Sequence, residues 1–168
     1  MKNRGAKISN HKMRGEWAEM CFMTRAAEHG LQVNKPWGDT ARFDFVIGHS
    51  GHFVRVQVKS TMFKDCGSYC CTVCSGNRPY LGDVFDYLAA YVIPEDVWYI
   101  IPAELIKGKI CITLNLNSEK SRYAAYKEAW HLLRSRSAAI PATIDRINAC
   151  AAEFLLNVPE AGWAESRQ

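Results

Sequence analysis

An acidic residue inside an apolar segment constrains the fold of this chain more than any other feature. Asp44 lies in the otherwise apolar run 43–47 (FDFVI), which predicts a strand over residues 42–47. A polar group buried without a partner costs about 2–7 kcal/mol, and a charged carboxylate costs more. The strand therefore has to bring the Asp44 carboxylate to a partner, and a cation is the simplest one.

The next segment is predicted to form a second strand that supplies further polar groups. Residues 52–59 (HFVRVQVK) alternate between apolar and polar residues and follow a short connection at 49–51 (HSG). Successive side chains of a strand point to opposite faces, so the polar ones share a face, namely Arg55, Gln57 and Lys59. An acid beside an amide oxygen and a lysine is a set that can bind a metal ion and a phosphate.

The same residues also allow an ordinary structural explanation. Arg55, Gln57 and Lys59 would then form the solvent-exposed face of an amphipathic strand, a common origin of such a pattern. Asp44 would be paired with Arg42 or Arg55. The spacing alone does not separate the two interpretations.

The first helix is predicted to begin near Ser9 or Asn10 and to end at Gly30, a residue type that favours the position after a helix. A helical wheel places Glu16 and Glu19 among apolar residues, on the side that faces the protein body. Glutamate is rarely buried without a reason. Both residues are therefore candidate acids for the same site.

The remaining pattern predicts a single domain over residues 1–168, with a core at about 11–116 and a helical part at about 117–168. Further strands are expected at 69–73, 85–93, 97–101 and 109–116, followed by helices at about 121–135 and 141–156. This order is typical of an α/β or α+β sheet flanked by helices. Trp37 is expected in the core, although a tryptophan beside the site can also stack on a base.

Positive charge is concentrated near the start of the chain. The net charge is only +4, but five basic residues precede the first acid, namely Lys2, Arg4, Lys7, Lys12 and Arg14. Such a basic arm suits a polyanionic partner, although it also fits a solvated terminus. The arm is expected to lie outside the cluster of polar strand residues.

The cysteines and the absence of certain segments suggest a cytoplasmic protein. The seven cysteines are an odd number and are expected to be reduced thiols. The group at Cys66, Cys70, Cys71 and Cys74 lacks the paired spacing of a structural zinc site. No run approaches the roughly 20 apolar residues that span a bilayer, and no signal-peptide pattern opens the sequence, so no membrane partner is expected.

Phosphodiester hydrolysis is the chemistry that fits the polar strand residues. A divalent metal ion can activate water and stabilise charge on a phosphate. Mg²⁺ prefers one or two carboxylates and other oxygen ligands. Asp44, the Gln57 amide oxygen, a backbone carbonyl near Val58 and an acid from the first helix would supply them, while Lys59 would orient water or neutralise the phosphate.

Five ordered segments carry a resemblance to a known family: residues 15–19 (GEWAE), 42–45 (RFDF), 55–60 (RVQVKS), 85–91 (FDYLAAY) and 97–102 (VWYIIP). Together they resemble the PD-(D/E)XK nuclease superfamily, and most of all its group I intron-encoded homing endonucleases, which carry glutamine at the second acidic position. Archaeal-type Holliday junction resolvases are similar to a lesser degree. The resemblance implies a restriction-endonuclease-like α/β fold, with a central mixed β-sheet flanked by helices.

The resemblance also implies residue roles. Asp44 would bind the metal, Gln57 would replace the second acid and Lys59 would be the catalytic lysine, while the family spacing favours Glu19 over Glu16 as the helix-borne acid. The family's proline before the first acid is replaced here by Phe43.

The cofactor and partners follow from the same resemblance. They would be Mg²⁺ or Mn²⁺, double-stranded or branched DNA, and further copies of the chain in a homodimer or larger homo-oligomer. DNA contacts are expected from Lys7, Lys12, Arg14 and Arg78. Two alternatives remain: a Holliday junction resolvase, and a non-catalytic DNA-binding module on the same fold.

Overall fold

One α-helix, ten strands and four short 3-10 turns make up the regular structure of the described residues. The computed structural model describes residues 8–38, 40–81 and 83–134. These residues belong to one compact unit, Met1–Ser137. The elements in chain order are α1 (His11–Glu28), β1 (Gln32–Asn34), β2 (Phe45–His49), β3 (His52–Thr61), β4 (Lys64–Asp65), β5 (Ser68–Thr72), β6 (Cys74–Ser75), β7 (Arg78–Pro79), β8 (Tyr87–Val92), β9 (Val97–Pro102) and β10 (Cys111–Leu114).

A five-stranded mixed sheet organises this unit. Its strand order is β1-β2-β3-β8-β9, and β3 and β8 are parallel while the other neighbouring pairs are antiparallel. Every residue of β8 is buried, as expected of a strand covered on both faces. The predicted central mixed sheet is confirmed. A smaller sheet, β10-β5-β4, and the pair β6-β7 complete the strands.

Helix α1 covers one face of the large sheet. Its N-terminus is capped by Asn10, whose side-chain oxygen accepts hydrogen bonds from the backbone N–H groups of Lys12 and Met13 at 2.9 and 3.1 Å. Gly30 follows the helix with a φ of +71°, which favours glycine. The buried helix residues are spaced by four and form a narrow line: Ala18, Phe22 and Ala26.

Because the buried line is narrow, the expectation that Glu16 and Glu19 both face the protein body is wrong for Glu16. Glu16 is exposed, whereas Glu19 lies at the edge of the buried line and its side chain is 23 % exposed. Met20 and Met23, expected on the inner face, are 57 % and 39 % exposed. Helix–sheet packing therefore uses less of the helix circumference than the apolar residues suggested.

Two hydrophobic cores lie on the two faces of the sheet. Between the sheet and α1, the side chains of Phe22 and Phe45 stack with ring centroids 5.3 Å apart, and Trp98 and Trp130 pack against Phe22. The other core contains Leu88 and joins the large sheet to the sheet of β5 and β10. Strand β8 separates the two cores.

Several sequence-based expectations need correction. β2 begins at Phe45, so Asp44 precedes the strand instead of lying within it. The α-helix expected over residues 121–135 is replaced by two short 3-10 turns, Ala124–Tyr126 and Trp130–Arg134. The isolated bridge between Tyr99 and Lys127 pairs this segment with the edge strand β9 instead.

The cysteines differ from the expectation of reduced thiols. The sulfur atoms of Cys70 and Cys111 are bonded to each other across β5 and β10, so the prediction is wrong for this pair. Cys66, Cys71 and Cys74 are free thiols.

Some expectations fall outside the described residues. Lys7 and the helix expected at 141–156 are among them, and the single domain over residues 1–168 stays a prediction. No helix of the described ranges is long and apolar enough to cross a membrane.

Candidate active site

The β2–β3 hairpin holds the Asp44 carboxylate in place. The Asp44 backbone N–H donates to the carbonyl of Val56 at 3.0 Å, and Val56 is also the register partner of Phe45, so Asp44 is tied to β3. Its Oδ2 accepts a hydrogen bond from the Val58 backbone N–H at 2.7 Å and another from Gln57 Nε2 at 2.5 Å. Among the described residues, both of these hydrogen bonds are accepted by the same carboxylate oxygen, Oδ2. The other oxygen is thus available to a cation.

The surroundings of Asp44 together raise the pKa of its carboxyl, although single groups act in both directions. Burial raises the pKa of the Asp44 carboxyl above its ordinary value, and the nearby Glu19 raises it further. The Val58 N–H, Lys59 and the Gln57 amide act in the opposite direction. A bound cation would favour the charged form of this carboxyl.

Gln57 and Lys59 extend from β3 toward the same place. Gln57 is only 8 % exposed, so the face that carries it is not a solvent-exposed one. Lys59 pairs in register with Ala90 of β8, and its Nζ lies 5.8 Å from the centre of the Tyr80 ring. The structural explanation of this strand as an exposed amphipathic face is therefore wrong for Gln57.

Arg55 has a different role from its neighbours on the same face. Its Nη2 pairs with Asp86 Oδ1 at 2.9 Å, while its backbone N–H and Nε donate to Asp86 Oδ2 at 2.6 and 3.2 Å. The sequence allowed Arg55 to form an ion pair with Asp44, but in the structure Arg55 pairs with Asp86. Because Asp86 joins the start of β8 to β3, we assign it to the framework of the sheet.

Glu19 reaches this region from α1. Its Oε2 lies 2.9 Å from the Lys35 ammonium, and this lysine lies just past the end of β1. Glu16 is more exposed, although it borders the same depression as Glu19 and Asp44. The difference in burial supports Glu19 over Glu16 as the acid that faces the site.

A cavity of about 360 Å³ brings all four predicted catalytic residues together. It lies between α1, β3 and the β5–β6 segment and is lined by Asp44, Gln57, Lys59, Glu19 and neighbouring residues. A second depression of about 280 Å³ shares Asp44 and Glu19 with it and adds Lys35. Strand pairing and helix packing together thus assemble one polar site from three separate parts of the sequence.

The predicted DNA contacts that the structure describes lie on two elements, α1 and β7. Lys12 is exposed on α1 and Arg78 is exposed on β7. Arg14, however, lines the cavity together with the four predicted catalytic residues, so the expectation that the arm lies outside the cluster is wrong for this residue. His11 also lines the cavity, and no sequence pattern marked it except its spacing of three from Arg14.

Trp37 also differs from the expectation. It is fully exposed instead of buried in the core, and its neighbours Pro36 and Gly38 border the smaller depression. An exposed tryptophan beside a polar site keeps the alternative of base stacking open.

The oxygen donors present suit a hard divalent cation. The two carboxylates of Asp44 and Glu19, the Gln57 amide and the Val58 carbonyl are the ligand types that Mg²⁺ accepts. Among the described residues there is no group of three or more His, Cys, Asp and Glu side chains that could hold a metal. A metal ion bound here would therefore need an amide and a carbonyl oxygen to complete its donors.

Comparisons with known proteins place the chain in a family and give a structural neighbour. The sequence model of a family described as PD-(D/E)XK endonuclease matches residues 9–133. A solved structure of a bacterial homing endonuclease, I-Ssp6803I, is similar with a TM-score of 0.65 and 30 % sequence identity, covering 75 % of this chain and 94 % of that one. No curated protein sequence matches the chain.

Proposed function

The chain belongs to the PD-(D/E)XK endonuclease family, and on this premise we propose that it cleaves DNA at the cavity lined by Asp44, Gln57, Lys59 and Glu19 with the help of Mg²⁺ or Mn²⁺. The observation that carries the proposal is the meeting of these four side chains in one cavity, although they come from α1, the residue before β2, and β3. The oxygen donors fit a hard divalent cation, which would supply charge stabilisation at the phosphate and a more acidic water molecule.

Each residue has a task that follows from its surroundings. Asp44 is fixed by the Val58 N–H, which anchors its carboxylate to β3. Gln57 donates its amide N–H to Asp44, so its amide must turn over for Oε1 to face a cation. Lys59 places an ammonium group beside the site, where it can orient the attacking water or neutralise the developing charge on phosphate.

Nucleases that cut both strands of a duplex commonly use two such sites. We therefore include a homodimer or larger homo-oligomer in the proposal, which light scattering of the free protein would test.

The direct test is cleavage of supercoiled plasmid, linear duplex and a four-way junction, each with Mg²⁺, with Mn²⁺ and with EDTA. We expect metal-dependent cleavage of plasmid or duplex. Cleavage confined to the junction would favour a resolvase instead. DNA binding without cleavage under any of these conditions would contradict the proposal and favour a non-catalytic module.

A glutamate in place of Gln57 should bind the metal more tightly. Gln57→Glu adds a negative charge beside Asp44, and we expect Mg²⁺ affinity to rise about 10-fold or more because a carboxylate is a stronger ligand than an amide. Without metal, the two carboxylates would repel each other, so the melting temperature of the metal-free variant should fall. Calorimetric titration with Mg²⁺ measures the first effect and thermal unfolding in EDTA the second. Weaker Mg²⁺ binding would show that residue 57 is not a ligand.

Lys35 should compete with the metal for Glu19. The Lys35 ammonium occupies a Glu19 oxygen at 2.9 Å, and the lysine is 59 % exposed, so the ion pair is weak and replaceable. We expect Lys35→Met to tighten Mg²⁺ binding by roughly 2- to 5-fold, because it removes both a competitor and a repelling charge.

Calorimetry of the Lys35→Met protein without DNA measures this effect separately from activity. Lys107→Met removes the same charge at an exposed position that lines neither depression, and it should leave the affinity unchanged. Equal affinities for the Lys35 variant and the wild type would argue against Glu19 as a ligand.

A further inference from the structure

Two residues of the first turn of α1 line the same cavity as the proposed catalytic residues. His11 and Arg14 border it together with Asp44, Gln57 and Lys59. Neither residue is needed to hold a cation, since one is a cation itself and the other is paired with it. Their presence in the cavity therefore calls for a different explanation from the metal site.

The Arg14 guanidinium is held in a defined orientation. Its Nη2 lies 2.6 Å from His11 Nδ1, and its Nη1 donates to the Ile8 carbonyl at 3.4 Å. Because a guanidinium can only donate, His11 Nδ1 must accept, which requires a neutral imidazole with its proton on Nε2. In the described part of the chain these bonds use two of the five N–H groups of an arginine, so three remain for a ligand.

The charges in the cavity suggest what that ligand is. Asp44 and Glu19 repel a phosphate, so a phosphate that enters must be balanced by cationic groups on the wall as well as by a metal ion. Lys59 is one such group and Arg14 is another. The planar fork of an arginine matches two oxygens of a phosphate, which an ammonium group does not.

From this geometry we propose that Arg14, oriented by His11, binds a phosphate of the cleaved DNA strand inside the active site. The inference rests on the proposed function and adds a substrate-binding residue to it. Arg14 then acts in the chemical step as well as in affinity, in contrast to the exposed Lys12 of the same arm. His11 is a positioning residue that acts through Arg14.

The test is single-turnover nicking of supercoiled plasmid in Mg²⁺, with the protein in excess and raised until the rate saturates. We expect Arg14→Ala to lower the saturated rate by about 10- to 100-fold, the range expected for a lost charge-assisted hydrogen bond. His11→Ala should lower it less, because the guanidinium remains but is no longer held. Arg122→Ala removes the same charge from an exposed residue that does not line the cavity, and it should leave the saturated rate unchanged.

Arg14→Lys separates an oriented arginine from a simple positive charge. This variant keeps the positive charge and should not disturb the fold. Compared with Arg14→Ala, we expect it to restore DNA affinity in a binding titration while the saturated rate stays low. A wild-type saturated rate in both Arg14→Ala and Arg14→Lys would overturn the inference and make Arg14 part of the arm. If the wild-type chain itself does not nick DNA, the proposed function fails first and this inference fails with it. If the wild-type chain nicks DNA and both Arg14 variants nick it at the same saturated rate, the inference fails and the proposed function stands.

Discussion

Asp44→Asn and Lys59→Ala should each lower the rate of metal-dependent DNA cleavage by about 1000-fold or more, while the chain remains folded. In the proposed site, Asp44 would supply a charged ligand for the metal and Lys59 the ammonium group beside the phosphate. Losing several kcal/mol of charge stabilisation corresponds to factors of this size. Single-turnover cleavage of plasmid in Mg²⁺ measures both effects.

Asparagine is the better substitution at position 44 because the carboxylate has structural neighbours. Asp44 accepts hydrogen bonds from the Val58 N–H and the Gln57 amide, and an alanine would leave these groups without a partner. Asparagine keeps an acceptor for Val58 and, after the Gln57 amide turns, a donor for its oxygen. The circular dichroism spectrum and the cooperativity of unfolding should match the wild type.

Matched controls distinguish the site from general charge effects. Asp65→Asn and Lys109→Ala change the same charges at exposed or half-exposed positions outside the cavity, and they should cleave like the wild type. If Asp44→Asn cleaved DNA at the wild-type rate, the metal would have to be held elsewhere and the site would be wrongly assigned.

Asp86→Ala should destabilise the fold by about 3 kcal/mol, the lower end of the range for breaking a buried ion pair. The Asp86 side chain is 9 % exposed and accepts three hydrogen bonds from Arg55, one of them from its backbone. Removing the carboxylate leaves an uncompensated guanidinium at the junction of β3 and β8. The lower end applies because the Arg55 side chain is 30 % exposed and can reach water.

For a chain of this length the loss corresponds to a fall in melting temperature of roughly 6–12 °C. Thermal unfolding followed by circular dichroism measures it. Asp83→Ala is the control because Asp83 is exposed and accepts a hydrogen bond from Arg55 through its backbone carbonyl, which the substitution keeps. A variant Asp86→Ala that melts like the wild type but does not cleave DNA would show that Asp86 acts in the site and not in the framework.

Local sequence patterns were sufficient for the central part of the fold. The strict alternation of residues 52–59 predicted β3, and the cap at Asn10 and the glycine at position 30 predicted both ends of α1. The ordered motifs led to the family and to a mixed sheet, both of which are confirmed. These predictions succeeded because periodicity and capping depend on residues that are close together in the sequence.

Predictions that depended on packing between distant segments were less successful. The apolar residues of α1 suggested a wide buried face, but the sheet covers only a narrow line, so Met20 and Glu16 are exposed. The pattern of residues 121–135 suggested an α-helix. Instead, Lys127 forms a bridge to β9, and the segment contains two short 3-10 turns. In both cases, the side chains that become buried are determined by the element that packs against the segment.

The site shows the same division between sequence and tertiary structure. The sequence determined the residue types and their spacing, which were sufficient to choose Asp44, Gln57 and Lys59 as a group. Only the tertiary structure decided that Asp86, and not Asp44, pairs with Arg55, and that Arg14 lines the cavity. The physical reason is that a charged side chain chooses its partner by distance in space, and this distance is set by the pairing of β3 with β8 and by the packing of α1 on the sheet.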